Sequence, residues 1–212
     1  VHNSRLCLIK KGKSMKKTIC IILIVAFAAL FSTSAYFIFD HYRQEEQQAE
    51  LYDSLADIVD SAAETEEEPA EPTLYTEEKT VLPELAELYQ QNSDLAGWIR
   101  IEDTNINYPV MHTPDNPDFY LKHGFDKKYS DYGCPYVQEN CDVQLPSDNV
   151  IIYGHHMKNG SMFCDLEKFK SQDFWQEHKT ISFSTVTDRY EYEIISVFKT
   201  FVYSDSPDSF KY

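Results

Sequence analysis

Three hydrophobic patterns follow one another along this chain: a continuous apolar run, a helical repeat and a series of β-type segments. The apolar run, residues 18–39, contains 22 residues without a charge. Because roughly 20 consecutive apolar residues span a bilayer as a helix, the run predicts one transmembrane helix. Leu51, Leu55 and Ile58 then recur at helical spacing, which predicts that the helix continues with a more polar surface through residues 40–60.

Two other interpretations of the apolar run stay open. A cleaved signal peptide is the first, because Thr33, Ser34 and Ala35 resemble a small-residue cleavage site. A buried helix of a soluble protein is the second. The run is long for a signal peptide and apolar aromatic residues continue past Ala35, so the sequence favours an uncleaved membrane anchor.

The segment that follows has no hydrophobic repeat. Residues 61–80 are acidic and contain Pro69 and Pro72, and this low hydrophobicity with high charge predicts a disordered linker. Residues 40–80 are therefore interpreted as a helical stalk followed by an acidic linker. A folded domain is predicted for residues 81–212, and it begins with an amphipathic helix at Pro83–Gln91.

Short β-type segments dominate the rest of the chain. Their apolar and alternating patterns predict strands at 98–101, 106–111, 149–153, 180–185 and 190–202. The run from Val150 to Tyr153 is apolar throughout, so the strand at 149–153 is predicted to be fully buried. Short helical pieces are predicted at 161–169 and 171–177, and a short helical or extended piece is predicted to begin at 119–121. Several short strands with small helical insertions indicate a mainly β barrel or sandwich.

The charge distribution adds an orientation to this picture. The net charge is −16, yet residues 1–39 hold six basic residues and no acidic residue. From Asp40 onward, 13 basic residues stand against 35 acidic ones. The positive-inside rule predicts that residues 1–17 form a cytoplasmic basic segment and that the acidic domain lies outside the cell. So acidic a domain excludes nucleic-acid binding through basic patches.

The strongest candidate for chemistry is the histidine pair His155 and His156, which follows the apolar run and Gly154. An imidazole at the open end of a strand suits proton transfer, because histidine titrates near neutral pH. A metal site built from this pair and another histidine is a weaker alternative, since adjacent side chains on an extended chain point to opposite faces. The spacing of Cys134 and Cys141 permits a loop disulfide but favours separate thiols.

From about Leu82 onward the chain resembles the class B sortases, which are membrane-anchored cysteine transpeptidases of Gram-positive bacteria. The matching segments occur in family order at residues 92–99, 106–110, 119–121, 149–157, 159–163 and 178–183. The resemblance implies a mainly β fold, a sortase-like β-barrel with short added helices behind one N-terminal transmembrane helix. It also implies a single-pass protein of the cell membrane with an extracellular catalytic domain.

The resemblance further implies an activity and its partners. Family members cleave a C-terminal sorting signal of secreted proteins and attach those proteins to the cell wall. A cysteine thiolate attacks the peptide carbonyl, a histidine protonates the leaving amine, and an arginine stabilises the oxyanion. The implied partners are secreted proteins with a sorting signal, a peptidoglycan amine acceptor and the membrane, contacted through residues 18–39. No metal or other cofactor is needed.

Three residues take over family roles by position. His155 matches the catalytic histidine, Tyr153 matches a residue that lines the substrate groove, and Leu121 matches the groove wall. The family's nucleophilic cysteine and its arginine lie further downstream, and these 212 residues contain no matching cysteine motif. Neither Cys164 nor Arg189 occupies an equivalent position. We therefore expect a C-terminally truncated chain with an incomplete barrel and no activity of its own.

Two other functions stay open at this point. The first is a non-catalytic, membrane-tethered extracellular β-module that binds a wall peptide or a protein partner. The second is a zinc hydrolase built on the histidines.

Overall fold

The structure, a computed structural model, describes residues 11–64, 80–143, 147 and 149–200. Its α-helices are α1 (Lys11–Ala63), α2 (Pro83–Gln91) and α3 (Gln172–Glu177). Its strands are β1 (Leu95–Arg100), β2 (Asn107–Met111), β3 (Tyr136–Val137), β4 (Ile152–Tyr153), β5 (Thr180–Thr185) and β6 (Arg189–Glu193). Two 3₁₀ helices cover Phe119–Leu121 and Phe163–Lys170. Most of the predicted acidic linker, residues 65–79, lies outside the described residues.

The chain divides into two compact units, residues 1–47 and 48–212. In the first unit, helix α1 carries the predicted apolar run, and large side chains such as Phe27 and Phe31 are exposed. Within the described residues this is the one helix that is long and apolar enough to cross a membrane. A signal sequence near the N-terminus meets the same criteria of length and composition. Helix α1 is therefore a candidate membrane span.

In the second unit, the last turns of α1 contribute to the hydrophobic core. Tyr52, Leu55 and Val59 are buried, and their spacing places them on one face of the helix. The Tyr52 hydroxyl also donates a hydrogen bond to the carbonyl of Gly133. The hydrophobic pattern predicted a stalk here, but these side chains pack as part of the domain.

This packing predicts that the domain depends on α1. Leu55→Ala removes a side chain that is 2% exposed, so we expect the free energy of unfolding to fall by about 2–4 kcal/mol. Urea denaturation followed by circular dichroism measures the change. Asp57→Ala, at an exposed position on the same helix, is the control and should change stability by less than about 0.5 kcal/mol. Equal stability of the two variants would show that the helix does not support the domain.

The six strands form one curled sheet in the order β4-β3-β2-β1-β5-β6. Neighbouring strands are antiparallel except β2 and β3, which are parallel. Among the described residues no further strand pairs with the outer edge of β4 or of β6. The predicted mainly β fold, an incomplete barrel with added helices, is confirmed.

Helix α2 is tied to this sheet by apolar packing and by one ion pair. Leu85 and Leu88 are fully buried, as the helical repeat in the sequence indicated. The guanidinium of Arg189 donates two hydrogen bonds, of 2.7 and 2.8 Å, to the carboxylate of Glu84. Because the side chain of Glu84 is only 8% exposed, Arg189 supplies the charge that a buried carboxylate needs. Arg189 therefore has a structural role in attaching α2 to the sheet.

Two strand predictions need correction. The strand at 149–153 was expected to be fully buried, but β4 covers only Ile152–Tyr153, and residues 150–153 are half-buried. The reason is that β4 lies at the edge of the sheet and one of its faces borders a cavity. The second strand, predicted at 190–202, ends at Glu193, and Ile195 beyond it is 92% exposed. Residues 201 and 202 lie outside the described residues.

Candidate active site

His155 lies just beyond the end of β4, where the backbone is held by a close contact. Strand β4 pairs with β3, and Gly154 follows it directly. A Cβ atom at Gly154 would stand 2.5 Å from the ring of Phe163, so the close approach of this ring requires glycine. The amide of Phe163 donates a 2.8 Å hydrogen bond to the carbonyl of His155. These contacts fix the backbone of His155 and leave its ring half-buried at the rim of the sheet.

The surroundings of the His155 ring favour its neutral form. Partial burial lowers the pKa of His155, and the positive charge of Lys122 lowers it further, while Asp131 opposes both effects. Lys122 and Asp131 form an ion pair of 3.0 Å, and Tyr129 donates a 2.8 Å hydrogen bond to the same Asp131 oxygen. A neutral imidazole can accept a proton from a thiol and return it to a leaving amine.

This arrangement predicts how the protonation of His155 responds to its neighbours. Lys122→Met removes the nearby cation and leaves Asp131 without this partner, so the pKa of His155 should rise. Asp131→Asn should lower it. The measurement is an NMR titration of the histidine ring protons, assigned with His155→Gln. Lys127→Met, which breaks a different surface ion pair, is the control, and an unchanged His155 titration in Lys122→Met would contradict the electrostatic argument.

Tyr153 and Leu121, the two predicted groove residues, lie on segments that the structure connects. The ring of Tyr153 lies 5.4 Å from that of Tyr136 on β3, and its hydroxyl is 3.1 Å from Gln138. Leu121 ends the 3₁₀ helix Phe119–Leu121 and is 40% exposed. The amide of Cys134, just before β3, donates to the carbonyl of Tyr120 in that helix.

His156 has a different environment from His155. Its Nε2 atom is 3.5 Å from a carboxylate oxygen of Glu167, which also pairs with Lys170 and Lys199. His156 therefore belongs to an exposed charged cluster, although it is adjacent to His155 in sequence.

The sequence did not indicate Lys122, Asp131, Tyr136 or Asp118 as parts of this region. Only the folded structure reveals them, because each one contacts a partner that is distant in sequence. Lys122 and Asp131 are nine positions apart, and Asp118 and Tyr136 are eighteen apart, so no periodic pattern links them.

A cavity of about 480 Å³ opens on one face of the sheet. Its apolar lining comes from β1, from the edge strands β4 and β6, from β5, and from the 3₁₀ helix Phe163–Lys170. The lining includes Ile99, Ile152, Phe163, Ile181, Phe183 and Tyr192. Because both edge strands contribute to one cavity, the sheet curls around an interior that is open between β4 and β6.

The cysteines described by the structure differ in their surroundings. Cys134 is buried, and burial raises the pKa of its thiol well above the usual range. The sulfur of Cys141, also buried, accepts a hydrogen bond from the amide of Ile151. Cys164 is half-buried in a 3₁₀ helix, and Cys20 lies on the apolar part of α1. All four are free thiols, so Cys134 and Cys141 are not bonded to each other.

Comparison with known proteins identifies related sequences and structures. Residues 99–208 match the family model of the sortase domain. Sortase B of Listeria monocytogenes is 39% identical over 120 residues, which are 57% of this chain and 48% of that protein. This chain therefore spans about half the length of that relative.

Solved structures of sortase B share the fold. The crystal structure of sortase B from B. anthracis superposes with a TM-score of 0.64 at 28% identity, covering 76% of this chain and 72% of that one. The Staphylococcus aureus sortase B–substrate complex superposes with a TM-score of 0.63 at 25% identity, covering 73% and 66%.

Proposed function

Because this chain belongs to the sortase family, and within it to class B, we propose that the complete protein is a cysteine transpeptidase of the cell surface. It cleaves a C-terminal sorting signal of secreted proteins and joins them to an amine of peptidoglycan. The observation that carries this proposal is half-buried His155 just beyond the end of β4, where the amide of Phe163 holds its backbone carbonyl. Its lowered pKa suits a group that exchanges protons with a thiol and an amine.

In this proposal each site residue has one task. His155 transfers the proton, while Tyr153 and Leu121 line the groove that holds the sorting signal. The nucleophilic cysteine and the arginine come from strands that follow residue 212 in the family order. These strands would occupy the space between β4 and β6, where both edges border the same apolar cavity.

We also propose that residues 18–39 anchor the protein in the membrane. The basic residues that precede this run favour a cytoplasmic position for residues 1–17, and the acidic residues that follow favour an extracellular domain. Membrane fractionation tests the anchor, and protease added to intact cells tests the orientation. Release of the domain into the medium without its apolar segment would support a cleaved signal peptide instead.

The test of the enzymatic proposal compares the 212-residue chain with a fusion. The fusion continues after Tyr212 with the corresponding C-terminal part of the Listeria relative. We expect transpeptidation between a sorting-signal peptide and an amine acceptor only in the fusion, because these 212 residues contain no match to the family's cysteine motif. Robust turnover by the 212 residues alone would contradict the expected inactivity.

A non-catalytic binding module is the second candidate, and the open apolar cavity is the observation that favours it. A folded fusion that binds the peptide but never cleaves it would support this second function. Cleavage by the fusion would exclude it.

A further inference from the structure

Tyr136 lies between the two segments that carry the proposed groove residues. Its side chain is almost fully buried, and in the strand register it stands opposite Tyr153. The two rings are 5.4 Å apart and tilted by 46°. On its other side the hydroxyl of Tyr136 donates a 2.7 Å hydrogen bond to a carboxylate oxygen of Asp118. One side chain therefore contacts both segments.

Asp118 lies at the start of the segment that carries Leu121. It immediately precedes the 3₁₀ helix Phe119–Leu121 and has φ 62° and ψ 4°, the left-handed conformation that is unfavourable for most residues other than glycine. Its carbonyl accepts a 3.0 Å hydrogen bond from the amide of Leu121. Because aspartate and asparagine tolerate this conformation, the residue type at position 118 suits the turn that starts this helix.

The hydrogen bond between the two residues is charge-assisted. Burial, followed by the interaction with Asp118, raises the pKa of Tyr136, so its hydroxyl stays protonated and remains a donor at physiological pH. A neutral donor on a carboxylate acceptor is stronger than a bond between two neutral groups. The link thus ties the start of the 3₁₀ helix Phe119–Leu121 to β3, a strand of only two residues.

We propose that Asp118 and Tyr136 are positioning residues that set the spacing between Leu121 and Tyr153 across the substrate groove. The inference deepens the proposed function and rests on it for the identity of the groove. Tyr136 contacts the ring of Tyr153 and Asp118 precedes the helix that ends at Leu121, so the pair acts through these two residues. Its effect is to hold the groove at one width before a peptide arrives, which lowers the cost of ordering the site on binding.

The test uses the full 212-residue chain in detergent micelles. Tyr136→Phe removes the hydroxyl and keeps the ring, and Asp118→Asn keeps the left-handed conformation but loses the charge. Two readouts are needed: the affinity for a fluorescent sorting-signal peptide, and the NMR resonances of the Leu121 methyl groups without peptide. Tyr89→Phe, a half-buried tyrosine of α2, is the matched control.

We expect Tyr136→Phe to weaken peptide binding about tenfold and to shift the Leu121 methyl resonances. Asp118→Asn should weaken binding in the same direction, and the double variant should bind no worse than Tyr136→Phe, because both changes remove one interaction. Tyr89→Phe should change neither readout. A purely structural role would lower thermal stability in Tyr136→Phe while the affinity and the methyl resonances stay at the wild-type values.

The outcomes separate this inference from the proposed function. If the wild type binds the peptide and Tyr136→Phe binds equally well with unmoved Leu121 resonances, the positioning role is overturned and the proposed function stands. If no variant binds the peptide, including the wild type, the fusion with the Listeria C-terminal part decides the proposed function, because the strands proposed to complete the site follow residue 212. The methyl resonances then decide the positioning role alone, and unmoved resonances overturn it.

Discussion

Gly97→Ala is expected to prevent stable folding of the domain. Gly97 lies in β1, between β2 and β5, and a Cβ atom built there would stand 2.0 Å from the carbonyl oxygen of Ser184. The carbonyl carbon of Ser184 and the Cα of Thr185 would both be 2.9 Å away. All three atoms belong to the backbone of β5, so no side-chain rotation relieves the overlap. Relief requires moving two central strands apart, at a cost of at least about 3 kcal/mol.

Thermal and urea denaturation of the variant measure this cost, and a substitution at another glycine provides the control. Gly160→Ala adds a Cβ with no atom within 4 Å, but at φ +89°. It should therefore cost only about 1 kcal/mol, from backbone strain. If Gly97→Ala were no less stable than Gly160→Ala, the result would contradict the close packing of β1 against β5 at Gly97.

The second large effect concerns catalysis by the fusion with the Listeria C-terminal part. His155→Ala is expected to lower its kcat/KM by about 10²–10⁴-fold, because the proton donor for the leaving amine is lost. In the unsubstituted fusion, the ring of His155 should become protonated at a lower pH than an ordinary histidine, because its pKa is lowered. The pH dependence of kcat/KM measures that displacement.

Two substitutions serve as controls for this experiment. His156→Ala removes the neighbouring ring, which contacts Glu167 in an exposed cluster, and should leave kcat/KM within a few-fold of the parent. Cys164→Ser removes the half-buried thiol closest to His155 in sequence and should also retain activity. An inactive Cys164→Ser variant would assign the nucleophile to this chain. An active His155→Ala variant would remove His155 from the mechanism.

Local sequence patterns predicted most of the secondary structure. Helix α2 has the predicted bounds, and β5 matches the predicted strand at 180–185. Strands β1 and β2 and the 3₁₀ helix Phe119–Leu121 lie close to the predicted positions. These elements depend on a periodicity that a few neighbouring residues provide, so a single sequence is sufficient to find them.

Burial was predicted less well, because it depends on elements that are distant in sequence. The apolar run at 149–153 indicated a fully buried strand, but the burial of β4 depends on what covers its outer edge. The repeat at Leu51 and Leu55 indicated a helix without indicating its partner. Only the fold showed that Tyr52 reaches Gly133, which lies 81 positions away.

The sequence by itself determined the apolar anchor candidate, the mainly β character and the position of His155 at a strand end. These properties follow from hydrophobic periodicity, charge and a motif, all of which are local. The tertiary structure alone decided the electrostatic setting of His155, the ion pair of Arg189 with Glu84 and the bond between Tyr136 and Asp118. Such interactions arise where the sheet curls and brings distant side chains within a few ångströms, and no local pattern encodes that distance.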